Sequence, residues 1–201
     1  MGMRLALLAM LPVAVFVNLL RQDPADTAQM LKQAQQLART YEPHQRLQQL
    51  VGTFDVVVRN SPPGGTASSD RGSVVGKAIL GGRYVVLNFQ LQVQGHAVEG
   101  VLILGFDNLH QRYTASWRDD LSTWAVDCAG APDVAAPQQL RLQGELADAR
   151  DPDGRAFRLE VDLPSPAAAA KDLAAQRVQV RLLDTVGGSL TAVQQQEWTR
   201  R

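Results

Sequence analysis

From Thr53 onward, apolar and polar side chains alternate with a period of two, the mark of strands that bury one face and wet the other. Leu87, Phe89, Leu91 and Val93 alternate with Asn88, Gln90, Gln92 and Gln94. The same rhythm returns in Leu140 and Leu142 against Arg141 and Gln143, and in Phe157, Leu159, Val161 and Leu163 against Arg158, Glu160 and Asp162. It appears once more in Val178, Val180 and Leu182 against Gln179 and Arg181. Turn signals divide the region into about ten predicted strands, at roughly 53–59, 71–80, 83–94, 96–106, 112–119, 123–129, 138–147, 155–163, 176–185 and 189–199.

Short connections at Gly81-Gly82, Gly95, Asp107-Asn108 and Gly187-Gly188 suit hairpins between sequential antiparallel strands, because parallel neighbours need long crossovers. A meander of this length must protect its edges, and closure into an up-and-down barrel does so. Two stacked sheets are the alternative. About ten strands predict a lumen wider than the eight-stranded case that side chains nearly fill. Pro62 to Gly65, Asp151 to Gly154 and the Pro-Ala stretch 164–170 read as longer loops at the rims.

Upstream of Thr53 the period is helical. Asp23-Pro24 is a good helix start, since Asp caps free backbone N–H groups and Pro tolerates the first helical position. Met30, Ala34, Leu37 and Tyr41 then form one apolar face of a helix running to about Thr40. Pro43 interrupts it, and a second short helix with Leu47, Leu50 and Val51 leads to Gly52. This helical region is expected to cover one mouth of the barrel. The resulting organisation is a signal peptide or membrane anchor over 1–22, a helical segment packing on the barrel over 23–51, and the barrel domain over 52–201.

The first segment begins with a positive charge at Arg4, followed by an apolar run from Leu5 to Leu20 broken only by Asn18. The run falls short of the about 20 residues a free-standing transmembrane helix needs and resembles the core of an export signal. Ala25-Asp26-Thr27 is a weak cleavage candidate, so an uncleaved membrane anchor is the alternative. Either way the globular part is expected in the periplasm or outside the cell. Twenty basic and twenty acidic residues cancel, with a pI near 6.8. No basic stripe is available for a phosphate backbone, which argues against nucleic acid as a partner. Cys128 is the only cysteine, so no internal disulfide forms, and its simplest role is that of a small buried hydrophobe.

Several residues together carry a family resemblance. They are His44 with Leu47, Leu50-Val51-Gly52-Thr53-Phe54, Leu80-Gly81-Gly82-Arg83-Tyr84, Gly95, Glu99-Gly100, Leu104-Gly105-Phe106-Asp107, Tyr113, Trp117 with Asp119, Ser122-Thr123, Gly130 and Trp198-Thr199-Arg200. In these the chain, over about residues 42 to 200, resembles the DUF1579 family of uncharacterised bacterial proteins, whose fold is lipocalin-like. Phe54 stands where the family usually has Trp, and the Ala-rich stretch 167–175 looks like an insertion. The resemblance implies a barrel with a pocket and carries no reaction.

Arg83, Glu99, Asp107 and Asp119 lie on adjacent predicted hairpins and are expected to converge at one barrel end, where they either orient a ligand head group or lock the mouth. Tyr84, Tyr113, Trp117 and Trp124 are expected in the central hairpins, as pocket lining or as core. The expected ligand-binding set is therefore Arg83, Tyr84, Glu99, Tyr113, Trp117 and Trp124, and the expected ligand is a small hydrophobic molecule such as a lipid or fatty acid.

The three histidines, His44, His96 and His110, have no metal-ligand spacing. His44 reads as a helix-capping or surface residue, with an iron porphyrin ligand as the alternative. Ser116 and Ser122 lack a nucleophile elbow, and the glycine pairs lack a phosphate-loop Lys. The chain thus reads as a non-enzymatic barrel without catalytic residues, metal or cofactor; an envelope structural or interaction protein with a solid barrel is the second reading, and an enzyme built on the barrel the third.

Overall fold

The computed structural model describes residues 24–93, 95–149, 151–164 and 177–201. The segment 1–22, read above as a signal or anchor, and nearly all of the stretch 164–170 lie outside the described residues. The chain divides into two units, Met1–Arg39 and Thr40–Arg201. In the first, α1 spans Pro24–Leu37, starting at the Pro that suits a first helical position.

The second unit is the barrel. A short helix α2, Glu42–Leu47, and a 3-10 turn, Gln48–Leu50, lead into ten antiparallel strands. They are β1 (Gly52–Asn60), β2 (Ser68–Ile79), β3 (Tyr84–Val93), β4 (His96–Asp107), β5 (Arg112–Asp119), β6 (Val126–Gly130), β7 (Gln139–Leu146), β8 (Arg155–Asp162), β9 (Arg177–Val186) and β10 (Ser189–Arg200). Each strand pairs with its sequence neighbour, and β10 pairs back onto β1, with Phe54 opposite Arg200 and Val56 opposite Trp198. The sheet is therefore closed and leaves no edge open to pairing. The expected meander and closure are both present, and β6 is shorter than the predicted 123–129 strand would make it.

Alternation sets the two walls. Val85, Leu87, Phe89 and Leu91 are buried inside, while Asn88, Gln90 and Gln92 face out and are exposed. Three of the outward positions of this strand are thus polar, against the apolar row inside. Among the described residues no helix is long and apolar enough to cross a membrane.

One end of the barrel is capped. α2 packs against β3 and β4, and Leu47 and Leu50 enter the core with almost no exposed surface. Phe54, Val74, Val85, Leu87, Leu104, Leu142 and Val178 have no accessible surface at all. A side chain with no accessible surface borders no water-sized void, so the capped half is solid. The wide apolar lumen expected from the strand count is thus filled on this side. The helical cap supplies two leucines from outside the sheet, and large rings take up the remaining width. Phe54, Trp198, Phe89 and Trp117 form a run of ring contacts across the interior, with centroids 5.9, 5.5 and 5.0 Å apart in turn. Offset and edge-to-face contacts of this kind fix ring positions as well as filling space.

Candidate functional site

The end opposite α2 has a different interior. Here the inward positions of the strands change from apolar to polar, and the change follows the same two-residue parity that buries the core. On β1, Phe54, Val56 and Val58 are followed on the same face by Asn60. On β10, Trp198 shares its face with Gln196 and Gln194, which lie opposite Val58 and Asn60. On β2, Asp70 lies opposite Val58, and Ser68 opposite Asn60.

These groups form one hydrogen-bonded ladder on the inner wall. Trp198 Nε1 donates to Gln196 Oε1 at 2.9 Å, and Gln196 Nε2 donates to Gln194 Oε1 at 2.7 Å. Gln194 Nε2 donates to Asn60 Oδ1 at 2.9 Å, and Asn60 Nδ2 donates to Asp70 Oδ2 at 3.3 Å. Ser68 Oγ also donates to Asp70 Oδ2, at 3.0 Å. The ladder climbs from a fully buried indole to half-buried groups near the mouth. Buried polar groups are costly unless paired, and in this order each amide satisfies the next. A β-bulge in β10 between Ala192 and Gln194 shifts its register with β9 near this rim, where the pairing with β1 ends at Asn60 opposite Gln194.

Across the mouth, Arg155 and Asp184 also point inward from β8 and β9. Arg155 Nε and Nη2 donate to the two oxygens of Asp184 at 2.8 Å each, and Nη2 reaches Asp148 at 2.9 Å. This fork geometry suits a guanidinium and a carboxylate. The bond to Asp184 is the main reason the Arg155 pKa is raised, with Asp148 adding to it. A third wall carries Trp117, half-buried on β5, whose Nε1 donates to Asp119 at 2.7 Å. Asp119 also accepts from the Leu121 N–H and the Ser122 hydroxyl, at 3.1 Å each. Gly100 makes room for the Trp117 ring: a Cβ there would lie 2.4 Å from its Cη2.

The capped end is tied down by His44. Its Nδ1 accepts the Tyr41 N–H at 3.0 Å, its ring meets the Phe106 ring edge-on at 5.7 Å, and a further bond joins it to the Phe106 backbone. Burial lowers its pKa below the ordinary 6.5, and the charge of Arg83 acts in the same direction. His44 is thus a helix-capping residue built into the core. Arg46 Nη1 donates to the Pro137 carbonyl at 2.6 Å, fixing α2 to the β6–β7 connection, and it also pairs with Glu42.

The residues singled out from the sequence do not form one cluster. Arg83 lies at the capped end, where its Nε donates to the Leu80 carbonyl at 2.6 Å. Tyr84 is exposed on the outer wall, against Gly105. Glu99 is outside as well, paired in register with Gln90. Tyr113 faces inward at the capped end beside Phe106, with its hydroxyl buried, and burial raises its pKa. Trp117 faces inward toward the open end, and Trp124 is exposed on the open rim. The expected meeting of Arg83, Glu99, Asp107 and Asp119 at one end does not occur. Sequential antiparallel strands alternate direction, so Arg83 and Asp107 fall at the capped end while Glu99 and Asp119 fall at the open one. Asp107 instead holds its own turn, accepting the Leu109 and His110 N–H groups and meeting His110 Nδ1 at 2.5 Å.

The inner ladder was not among the residues expected to bind. Its signal in the sequence was parity alone: Asn60, Asp70, Gln194 and Gln196 continue the faces of Val58, Val74 and Trp198. Cys128 is buried on β6, where desolvation pushes its thiol up to about 12 and keeps it un-ionised. Among the described residues no group of three His, Cys, Asp or Glu could hold a metal ion.

Comparison with known proteins gives a fold relative and a family. The crystal structure of Rv2717c from M. tuberculosis superposes with a TM-score of 0.55 at 13% identity, covering 81% of this chain and 99% of that one. At that identity the likeness concerns the fold alone. No curated protein matches the chain. The sequence pattern of the family described as "Protein of unknown function (DUF1579)" matches residues 39–171, taking in α2, the cap and the strands through β8, and the chain belongs to that family.

Proposed function

We propose that this protein is an exported, non-enzymatic binding protein whose ligand occupies the open half of the barrel. The observation that carries this reading is the inward ladder from Trp198 through Gln196, Gln194 and Asn60 to Asp70. A barrel whose only task was to be solid has no need of amides on its inner wall, where apolar side chains pack at lower desolvation cost. Beside the ladder stand apolar groups that are only partly covered, among them Trp117, Leu146, Leu159 and Leu182. Such a wall, mostly apolar with a few convergent polar groups, is the common character of small-molecule sites.

The ligand is a compact, largely apolar molecule with one hydrogen-bonding group. The solid capped half leaves no channel for a fully inserted long acyl chain, so a lipid-like ligand enters by a short segment. Native mass spectrometry of the protein purified from its own host tests the reading. A co-purifying small molecule, lost on denaturation, supports it; protein of the bare polypeptide mass counts against it.

A second reading, that of an envelope interaction protein, draws on the capped rim. Leu80 is 59% exposed and held at φ 52, a backbone state that leucine rarely adopts, and Leu109 and Val134 are exposed nearby in the chain's turns at that end.

A further inference from the structure

The outer wall of the barrel carries a groove of about 600 Å³ that is separate from the lumen. It lies over the weakest seam of the sheet. β6 has only five residues and pairs with β7 only through Cys128 opposite Gly144 and Ala129 opposite Gln143. Along one side of the groove, the outward face of β5 presents Arg112, Thr114, Ser116 and Arg118 in succession.

The two guanidiniums are available. Neither Arg112 nor Arg118 makes an ion pair among the described residues, and Asp107, opposite Arg112 in register, is engaged by its own turn. Arg118 Nη1 is directed back along the strand to Ser116 Oγ at 2.8 Å, which turns its charge toward the groove. Asp127 is the single carboxylate on the lining, against two arginines. Six residues of extended strand separate the arginine Cα atoms by roughly 20 Å. Between them lie the hydroxyls of Thr114 and Ser116, with Gln143 across the groove and Ile103 as an apolar floor.

We propose that this groove binds an extended small molecule carrying two anionic groups, carboxylate or phosphate, one for each guanidinium. The forked donors of Arg match either oxyanion, and the hydroxyls and amide between them serve polar groups along the ligand's length.

Titration calorimetry of the full chain with tetragalacturonate, with linear inorganic polyphosphate long enough to span the groove and with neutral maltotetraose tests the assignment and separates the two oxyanions. One of the two anionic probes binds, maltotetraose does not, and Arg112→Gln or Arg118→Gln each weakens binding at least about tenfold, as loss of a charge-assisted bond requires. Both arginines are exposed, so the variants keep the wild-type unfolding midpoint. Arg59→Gln and Arg71→Gln, each of which removes one charge elsewhere on the outer wall, leave affinity unchanged. The proposal is overturned if neither anionic probe binds, if the groove variants bind as well as wild type, or if the control variants weaken binding equally.

Discussion

The guanidinium of Arg200 lies 4.7 Å above the ring of Phe54, so the last strand of the barrel is clamped onto the first. The same group donates to the carbonyls of Val51 at 2.7 Å and Gln49 at 2.8 Å, which are left free where the 3-10 turn ends and β1 begins. One side chain thus joins the closing seam, the cap and the aromatic row. Burial lowers the Arg200 pKa without removing its charge, since arginine stays protonated in proteins.

The fork matters more than the charge in that clamp. Arg200→Lys keeps a cation but loses the planar, two-pronged donor and its stacking surface. It is expected to lower unfolding free energy by about 1.5–3 kcal/mol, the range for a hydrogen bond to a charged group. Urea unfolding measures this. A change within about 0.5 kcal/mol, typical of an uninvolved surface position, rules the clamp out.

His44 makes the cap sensitive to acid. Its folded pKa lies below the ordinary 6.5, so the unfolded chain takes up a proton at a higher pH than the native protein does. The stability this residue contributes is whole above that value and is lost as pH falls from it toward the folded pKa. His44→Gln is expected to be less stable than wild type at about pH 8, with the gap between them narrowing toward about pH 5. Thermal unfolding across that span checks it, and a gap that stays constant with pH contradicts it.

Gly100 reserves the place of Trp117. Gly100→Ala puts a methyl 2.4 Å from the indole Cη2, and the ring cannot keep both that position and its 5.0 Å contact with Phe89. A loss of about 1–3 kcal/mol is expected from such overpacking, together with a red-shifted tryptophan emission as the ring moves toward water. Unchanged emission and stability place the indole elsewhere.

The strand meander was legible in the sequence because burial of one face imposes a strict period of two, and the turns carry Gly, Asp and Asn where the chain reverses. Closure followed from the need to hide edges. The filling of the lumen was not legible, because strand count sets a diameter while the cap leucines and the Phe54–Trp198–Phe89–Trp117 row arrive from distant parts of the chain. The expected convergence of Arg83, Glu99, Asp107 and Asp119 does not occur, for a related reason. Arg83, Glu99 and Trp124 stood out as conspicuous residue types, yet which end of the barrel each reaches depends on strand direction. Gln194 and Gln196 lie in a polar run, and only their parity with Trp198 places them inside.

On the proposed reading the lumen has a solid half and a receptive half. Methyl-labelled NMR spectra of protein from its own host, before and after extraction of bound small molecules, distinguish the two halves. Resonances of Leu91, Val93, Leu146 and Leu182 at the open end are expected to shift, while those of Leu47, Leu50, Leu104 and Leu142 stay in place. Shifts centred on the second group, or spectra that are identical throughout, contradict it.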